Sequence, residues 1–256
     1  MADMKPESLA EFRFYAELND FLPPMQRKRT VRYRFNVHPG IKDPIEAFGV
    51  PHTEVELLIV NGESVGFDYQ LQADDRVAVY PVFKSLDTTP LLRLRGKIVH
   101  KPRFVLDVNL GKLTKLMRLL GFNCLYRNDF RDEDVVNIAV NEGRIVLTRD
   151  RRLLYFKEIK HGYWVRAVDP ESQVVEVLRR FDLHSSIHTF IRCLVCNGEL
   201  APVAKADILD RLEPKTRLYY EEFYQCVDCR RIYWEGSHME NMRRRLAGFL
   251  FAVTET

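Results

Sequence analysis

The sequence predicts an α/β protein flanked by a β-rich N-terminal domain and a C-terminal metal-binding module, on three observations. Between residues 102 and 181, short apolar runs alternate with stretches of helical period, the pattern of a parallel sheet covered by helices on both faces. Residues 9–83 instead show period-2 alternation bounded by Pro and Asn-Gly, the pattern of half-buried strands. Beyond residue 189, Cys193-x-x-Cys196 and Cys226-x-x-Cys229 stand 29 residues apart, the spacing of a four-thiolate metal site.

In the N-terminal domain, Glu11–Tyr15 and Thr30–Phe35 alternate as strands, and Pro23-Pro24 suits the connection between them. Asp43-Pro44 opens a short helix that ends at Gly49. Glu54–Val60 is a strand closed by the turn signal Asn61-Gly62, and Arg76–Val82 is another. This β-β-α-β-β order, with its late Asp74-Asp-Arg-Val-Ala-Val-Tyr-Pro81 strand, resembles the ubiquitin-like β-grasp of small sulfur-carrier proteins. Those carriers end in Gly-Gly, whereas this chain runs on through Phe83-Lys-Ser-Leu-Asp87. The resemblance therefore implies a binding or scaffolding module, with residues 9–83 open to a protein partner.

Residues 84–101 form a polar linker that turns basic, and the α/β domain occupies 102–188. Arg103–Leu106 is a buried strand ending at Asp107. Leu110, Leu113, Leu116, Met117 and Leu120 follow at helical spacing, with Gly121 as the C-terminal cap. Phe122–Tyr126 is a second strand and Cys124 a core residue within it. Asp132 is placed to cap a helix that runs to Gly143. Arg144–Thr148 and Tyr163–Val168 are the next strands, and Asp169-Pro170 opens a helix to about Phe181.

The third module covers 189–245. Cys193, Cys196, Cys226 and Cys229 on one Zn²⁺ leave no open coordination position, so this zinc is structural. His238 lies near a site that four cysteines already fill. Tyr233 and Trp234 either stack on bases or pack around the small zinc core.

Composition sets further bounds. The N-terminus Met-Ala-Asp-Met-Lys-Pro-Glu carries no apolar leader and no run is long enough to cross a membrane, so a reduced, cytoplasmic location and no membrane partner are expected. The net charge of +3 conceals a skew: residues 91–131 hold ten Lys and Arg against Asp107 and Asp129 alone. That excess marks a polyanion-facing surface or a solvated face.

Asp107 and Asp150 both follow predicted strands, at the sheet edge where open α/β folds bind ligands. Asp134, or Asp132 beside it, would join them from the intervening helix. Converging carboxylates need a divalent cation, and hard oxygen donors select Mg²⁺ or Mn²⁺. Such an ion can activate water against a phosphodiester. Asp169 could supply a fourth acid or cap the following helix. Lys112 could reach phosphate from its helix start, although Gly111-Lys-Leu-Thr114 lacks the phosphate-loop pattern. Arg149 could bind phosphate or pair with an acid. Arg151, Arg152 and Arg243–Arg245 read as solvated faces.

Four local sequences carry a family resemblance. Phe104-Val-Leu-Asp-Val-Asn-Leu-Gly-Lys-Leu-Thr-Lys-Leu-Met-Arg-Leu-Leu-Gly-Phe122 resembles the opening motif of the Mut-seven C-terminal RNase family, a PIN-like nuclease group. Arg144-Ile-Val-Leu-Thr-Arg-Asp-Arg-Arg-Leu-Leu154 resembles its second motif, and Ile191–Leu200 and Cys226–His238 resemble its zinc ribbon. Some members also carry a ubiquitin-like N-terminal domain. The resemblance implies a PIN-like parallel sheet and a metal-dependent endoribonuclease. Its acidic site maps onto Asp107, Asp134 and Asp150; on the nuclease reading these bind Mg²⁺ or Mn²⁺, the basic stretch holds RNA and the ribbon extends the substrate platform. The alternative is a non-catalytic RNA- or protein-binding adaptor with a vestigial acidic pocket.

Overall fold

The structure, a computed structural model, describes residues 7–81, 94, 102–236 and 244. The linker expected over 84–101 lies outside the described residues apart from Leu94, and so do His238, Arg243 and Arg245. The described residues fall into two compact units: 7–81, 94 and 150–164 in one, 102–149 and 165–236 in the other.

In the first unit, β1 (Ser8–Phe14) pairs antiparallel with β2 (Thr30–Phe35), setting Phe12 opposite Val31. A short helix α1 (Lys42–Ala47) follows, then β3 (Leu57–Val60), β4 (Glu63–Val65) and β5 (Arg76–Tyr80). The sheet order is β2-β1-β5-β3-β4, with β1 and β5 parallel at its centre, as in a β-grasp. Period-2 alternation sends Ala10, Phe12 and Phe14 into the core, where Ile41, Ile45 and Leu58 join them. Asn61-Gly62 forms the hairpin turn that its sequence signals, both residues having positive φ (52° and 95°). β3 starts at Leu57 rather than Glu54, because His52–Glu54 coil into a 3-10 turn first.

In the second unit, β6 (Arg103–Leu106) leads through a tight turn into α2 (Gly111–Leu119), and β7 (Asn123–Leu125), α3 (Asp132–Glu142) and β8 (Ile145–Thr148) follow. β6 pairs parallel with β7 on one side and β8 on the other. Every residue of β8 is buried, as a strand covered on both faces must be. Arg131, not Asp132, caps α3: Asp134 in the third helical position accepts a hydrogen bond from the Arg131 N–H at 2.9 Å.

At Asp150 the chain joins the first unit. Arg151 lies 3.8 Å from the Trp164 ring centroid and 5.3 Å from that of Phe21. The Tyr155 hydroxyl donates to the Gly49 carbonyl at 2.6 Å, and the Trp164 N–H donates to Glu54 Oε1 at 2.7 Å. This excursion shortens the strand expected over 163–168 to β9 (Gly162–Trp164). Val165 returns to the second unit, its N–H donating to Thr148 O at 2.8 Å. α4 (Pro170–Arg180) comes next, capped by Asp169, which accepts from the N–H groups of Glu171 and Ser172. The ribbon then builds an antiparallel sheet from β10 (Leu200–Val203), β11 (Phe223–Cys226) and β12 (Ile232–Tyr233), with α5 (Pro214–Tyr219) between the first two. Among the described residues, no helix is long and apolar enough to cross a membrane.

Candidate nucleic-acid groove and metal centre

Asp107 sits where β6 ends, 5% exposed, and its carboxylate is held from three directions. Oδ1 accepts from the Asn109 N–H at 2.8 Å, and Oδ2 accepts from the Arg149 N–H at 2.8 Å and from the Thr148 hydroxyl. A carboxylate has about four acceptor positions, so roughly one on Oδ1 remains for a ligand. These bonds join the end of β6 to the end of β8, which fixes the sheet rim.

A groove of about 810 Å³ opens along the residues just after Asp107. Asn109, Lys112 and Lys115 line it from the start of α2, Tyr126 and Arg127 from the end of β7, and Val195 from the ribbon. Its lining contains cations and amides but no carboxylate. Arg127 is paired at the rim with Asp129 at 2.6 Å, whereas Lys112 and Lys115 are exposed. The Tyr126 hydroxyl donates to the Val108 carbonyl at 3.2 Å, which lays the ring against the helix start.

The other site candidates have structural partners. Exposed Asp134 closes the first turn of α3. Asp150 accepts from the Arg152 N–H at 2.9 Å, and Asp169 is the α4 cap. Arg149 spends its guanidinium on the carbonyls of Val165, Arg166 and Ala167. Lys112 is the candidate that lies in the groove. Among the described residues, the four cysteines are the one group of three or more His, Cys, Asp and Glu whose ligand atoms lie within 4.8 Å of one another.

Those cysteines are placed by two matching knuckles. The Cys196 N–H points at Cys193 Sγ and the Cys229 N–H at Cys226 Sγ, each at 3.5 Å. Sulfurs pair at 3.6 Å (Cys193 and Cys229) and 3.4 Å (Cys196 and Cys226). Tetrahedral zinc with bonds of about 2.3 Å needs sulfurs roughly 3.8 Å apart, so the set fits that ion. Gly198 is required here: a Cβ would fall 2.8 Å from Cys226 Sγ and 2.3 Å from Asp228 Oδ2. Burial pushes the Cys193 thiol up, but the Cys196 N–H, the Tyr233 hydroxyl and the Val195 N–H outweigh it and bring it down to about 6. Burial and the neighbouring sulfurs push Cys196 up to about 12. The Cys193 thiolate forms readily while Cys196 and Cys229 resist, which is the charge problem that a dication removes. Tyr233 is committed to this core: its hydroxyl lies 3.1 Å from Cys193 Sγ and accepts the Leu194 N–H at 3.1 Å.

The knuckle is bolted to the parallel sheet. Arg118 of α2, 3% exposed, donates to Cys124 O at 2.7 and 2.9 Å, to Leu194 O at 3.1 Å and to Val195 O at 2.8 Å. Asn197 accepts from the Cys124 N–H at 2.9 Å and donates to Asn123 Oδ1 at 2.8 Å. Arg144 reaches the same Asn123 oxygen at 2.7 Å. Cys124 itself is a core thiol, pushed up by burial to about 12 with only partial relief from Arg118, Arg144 and Arg192. Sequence reasoning counted Arg118 among surface cations and passed over Asn197 and Val195. The Arg118 register was a usable signal, because it adjoins Met117 on the buried side of α2.

A β-grasp domain ahead of a parallel α/β domain with a four-cysteine ribbon defines the class of protein. Residues 102–246 match the Mut7-C RNAse domain and residues 7–87 the Mut7-C ubiquitin domain, and the chain belongs to the Mut7-C RNAse domain family. No curated protein matches it. Among solved structures, the crystal structure of H. volcanii small archaeal modifier protein 1 is similar at 19% identity over 29% of this chain and 97% of that one, with a TM-score of 0.24. Membership of the family supports a nuclease-like function in general terms.

Proposed function

We propose that the protein is a metal-dependent endoribonuclease that holds RNA in the groove beside Asp107. The observation that carries this reading is the basic, carboxylate-free groove opening directly after a buried aspartate at a parallel-sheet rim. Lys112 and Lys115 supply the exposed positive charge a phosphate backbone needs, and Tyr126 offers a ring for a base. Asp107 and Asp134 would hold Mg²⁺ or Mn²⁺, whose chemistry is to lower the pKa of bound water and to neutralise developing charge on phosphate. The remaining lone pair on Asp107 Oδ1 makes it the anchor of that set. Its three protein hydrogen bonds fix its orientation. Arg149 acts by clamping residues 165–167 rather than by touching RNA. The four cysteines hold zinc, and the site of action is in the reducing cytoplasm.

A second reading has an observation of its own. Asp107 and Asp134 each already perform a structural task, which is what a non-catalytic RNA-binding adaptor with a vestigial acidic site would retain.

Cleavage separates the two. Purified zinc-loaded protein with added Mn²⁺ should cut RNA, and Asp107→Asn should lower the rate by about a hundredfold or more while still binding RNA. Asparagine keeps an acceptor for the Thr148 hydroxyl and Arg149 N–H, which join β6 to β8, and gives up only the bond from the Asn109 N–H. Binding without cleavage by the wild type would establish the adaptor.

A further inference from the structure

The groove and the metal ribbon share a wall. Val195, the third residue of the Cys193-Leu-Val-Cys196 knuckle, is half exposed at 51% and lines the groove beside Lys112 and Lys115. Val227, the second residue of the Cys226-Val-Asp-Cys229 knuckle, is equally exposed at 50% but lines a separate cavity with Asp207 and Arg211. The two knuckles are therefore chemically alike and positionally different.

The first knuckle is also the one that is anchored. Arg118 lies one helical turn beyond Lys115 on α2, and its guanidinium grips the carbonyls of both Leu194 and Val195. Asn197, just past Cys196, is tied to the backbone of β7, whose continuation carries Tyr126 and Arg127. A second attachment lies at Gly121, with φ +94°, where a Cβ would fall 2.0 Å from His188 O; the His188 N–H donates to Leu120 O at 3.0 Å. The ribbon is thus a fixed wall of the second unit. A knuckle without its metal has two flexible ends and cannot offer Arg118 both carbonyls in register.

We propose that zinc in the four-cysteine site and RNA in the groove are thermodynamically linked through the Cys193–Cys196 knuckle, with Arg118 as the positioning residue. The proposal rests on RNA occupying the groove and adds a regulator of that same site. Linkage is reciprocal: if zinc tightens RNA binding, RNA must tighten zinc by the same factor. Availability of the metal then sets RNA affinity without touching the acidic residues.

The test uses the full zinc-loaded chain and a labelled oligouridine of about a dozen nucleotides. Val195→Glu should weaken its binding about tenfold, by placing a carboxylate on the wall that faces Lys112 and Lys115, and Val227→Glu should leave it unchanged. Arg118→Lys, checked for full zinc content, should also bind about tenfold more weakly. In the reciprocal arm, saturating oligonucleotide should raise several-fold the concentration of a colorimetric chelator that removes half the zinc at equilibrium from the wild type, and by less from Arg118→Lys. If Arg118→Lys does not fold, the two valine variants and the wild-type chelator titrations decide the matter. Equal loss in both valine variants, or zinc release indifferent to RNA, overturns the linkage alone. A wild type that binds no oligonucleotide overturns the RNA reading and the linkage with it.

Discussion

The β-grasp domain and the ribbon are stabilised in opposite ways. The first gathers seventeen buried apolar residues, from Ala10 to Val79, into one cluster, enough to hold a small domain on hydrophobic burial. Among the described residues, the ribbon's own cluster has three, Ile208, Leu212 and Phe223, with Val203, Tyr220, Ile232 and Trp234 packed against them. Three side chains cannot offset the conformational entropy of ordering some forty residues. The ribbon therefore draws on four thiolates for its metal and on hydrogen bonds to a neighbouring sheet. Where burial suffices, sequence pattern dictates structure locally; where it does not, structure depends on an ion and on residues far away in the chain.

Removing the metal probes this contrast most severely. Chelation, or Cys226→Ala, should abolish hydrogen-exchange protection across residues 193–233, since structural zinc contributes apparent binding energies of about 10–16 kcal/mol. Protection in β1, β3 and β5 should be unchanged. Loss in both regions would mean that the ribbon supports the β-grasp and that the contrast is false.

The converse change should act on the other side. Phe12 is fully buried, with Phe14, Tyr33 and Phe48 around it. Phe12→Ala should cost about 3–5 kcal/mol in denaturant unfolding of the N-terminal unit. Zinc content, measured on the same samples below the transition, should stay at one ion per chain.

The mildest test is acid. Burial raises the Glu46 carboxyl, but the hydrogen bond and charge of His52 and the charge of Lys42 outweigh it and hold it below its ordinary 4.5. A group depressed in the folded state stabilises above its unfolded value and ceases to as pH falls through its folded one. The N-terminal unit should therefore lose stability as pH drops below about 4.5, and Glu46→Gln should flatten that part of the urea-midpoint profile. An identical acid profile in the variant would remove Glu46 from the account.

How much could be read from the residues follows the same division. The β1, β2 and β5 strands are legible because each buries alternate side chains against one core. Asn61-Gly62, the Gly143 cap and the four cysteines are legible because each residue type has a single local physical reason. Arg118 was not, because charge counting places it on a surface, and its burial is decided by carbonyls 76 and 77 positions later. Asp150–Trp164 reads as a continuation of the α/β domain, yet it packs with the first unit through partners about a hundred residues earlier. Among the described cations of the basic stretch 91–131, Arg118 proves buried and Arg103 bonds the Glu142 carbonyl, while Lys112, Lys115 and Arg127 line the groove. Composition flagged the basic stretch, but only packing showed which of its cations line the groove.

The measurement that bears most directly on the central claim is where RNA touches the protein. Photo-crosslinking of 4-thiouridine RNA to the zinc-loaded chain, read by peptide mass spectrometry, should mark residues 108–128 and 194–196. Crosslinks confined to β-grasp peptides, or to the ribbon around Val227, would contradict the assignment of the groove beside Asp107 as the RNA site.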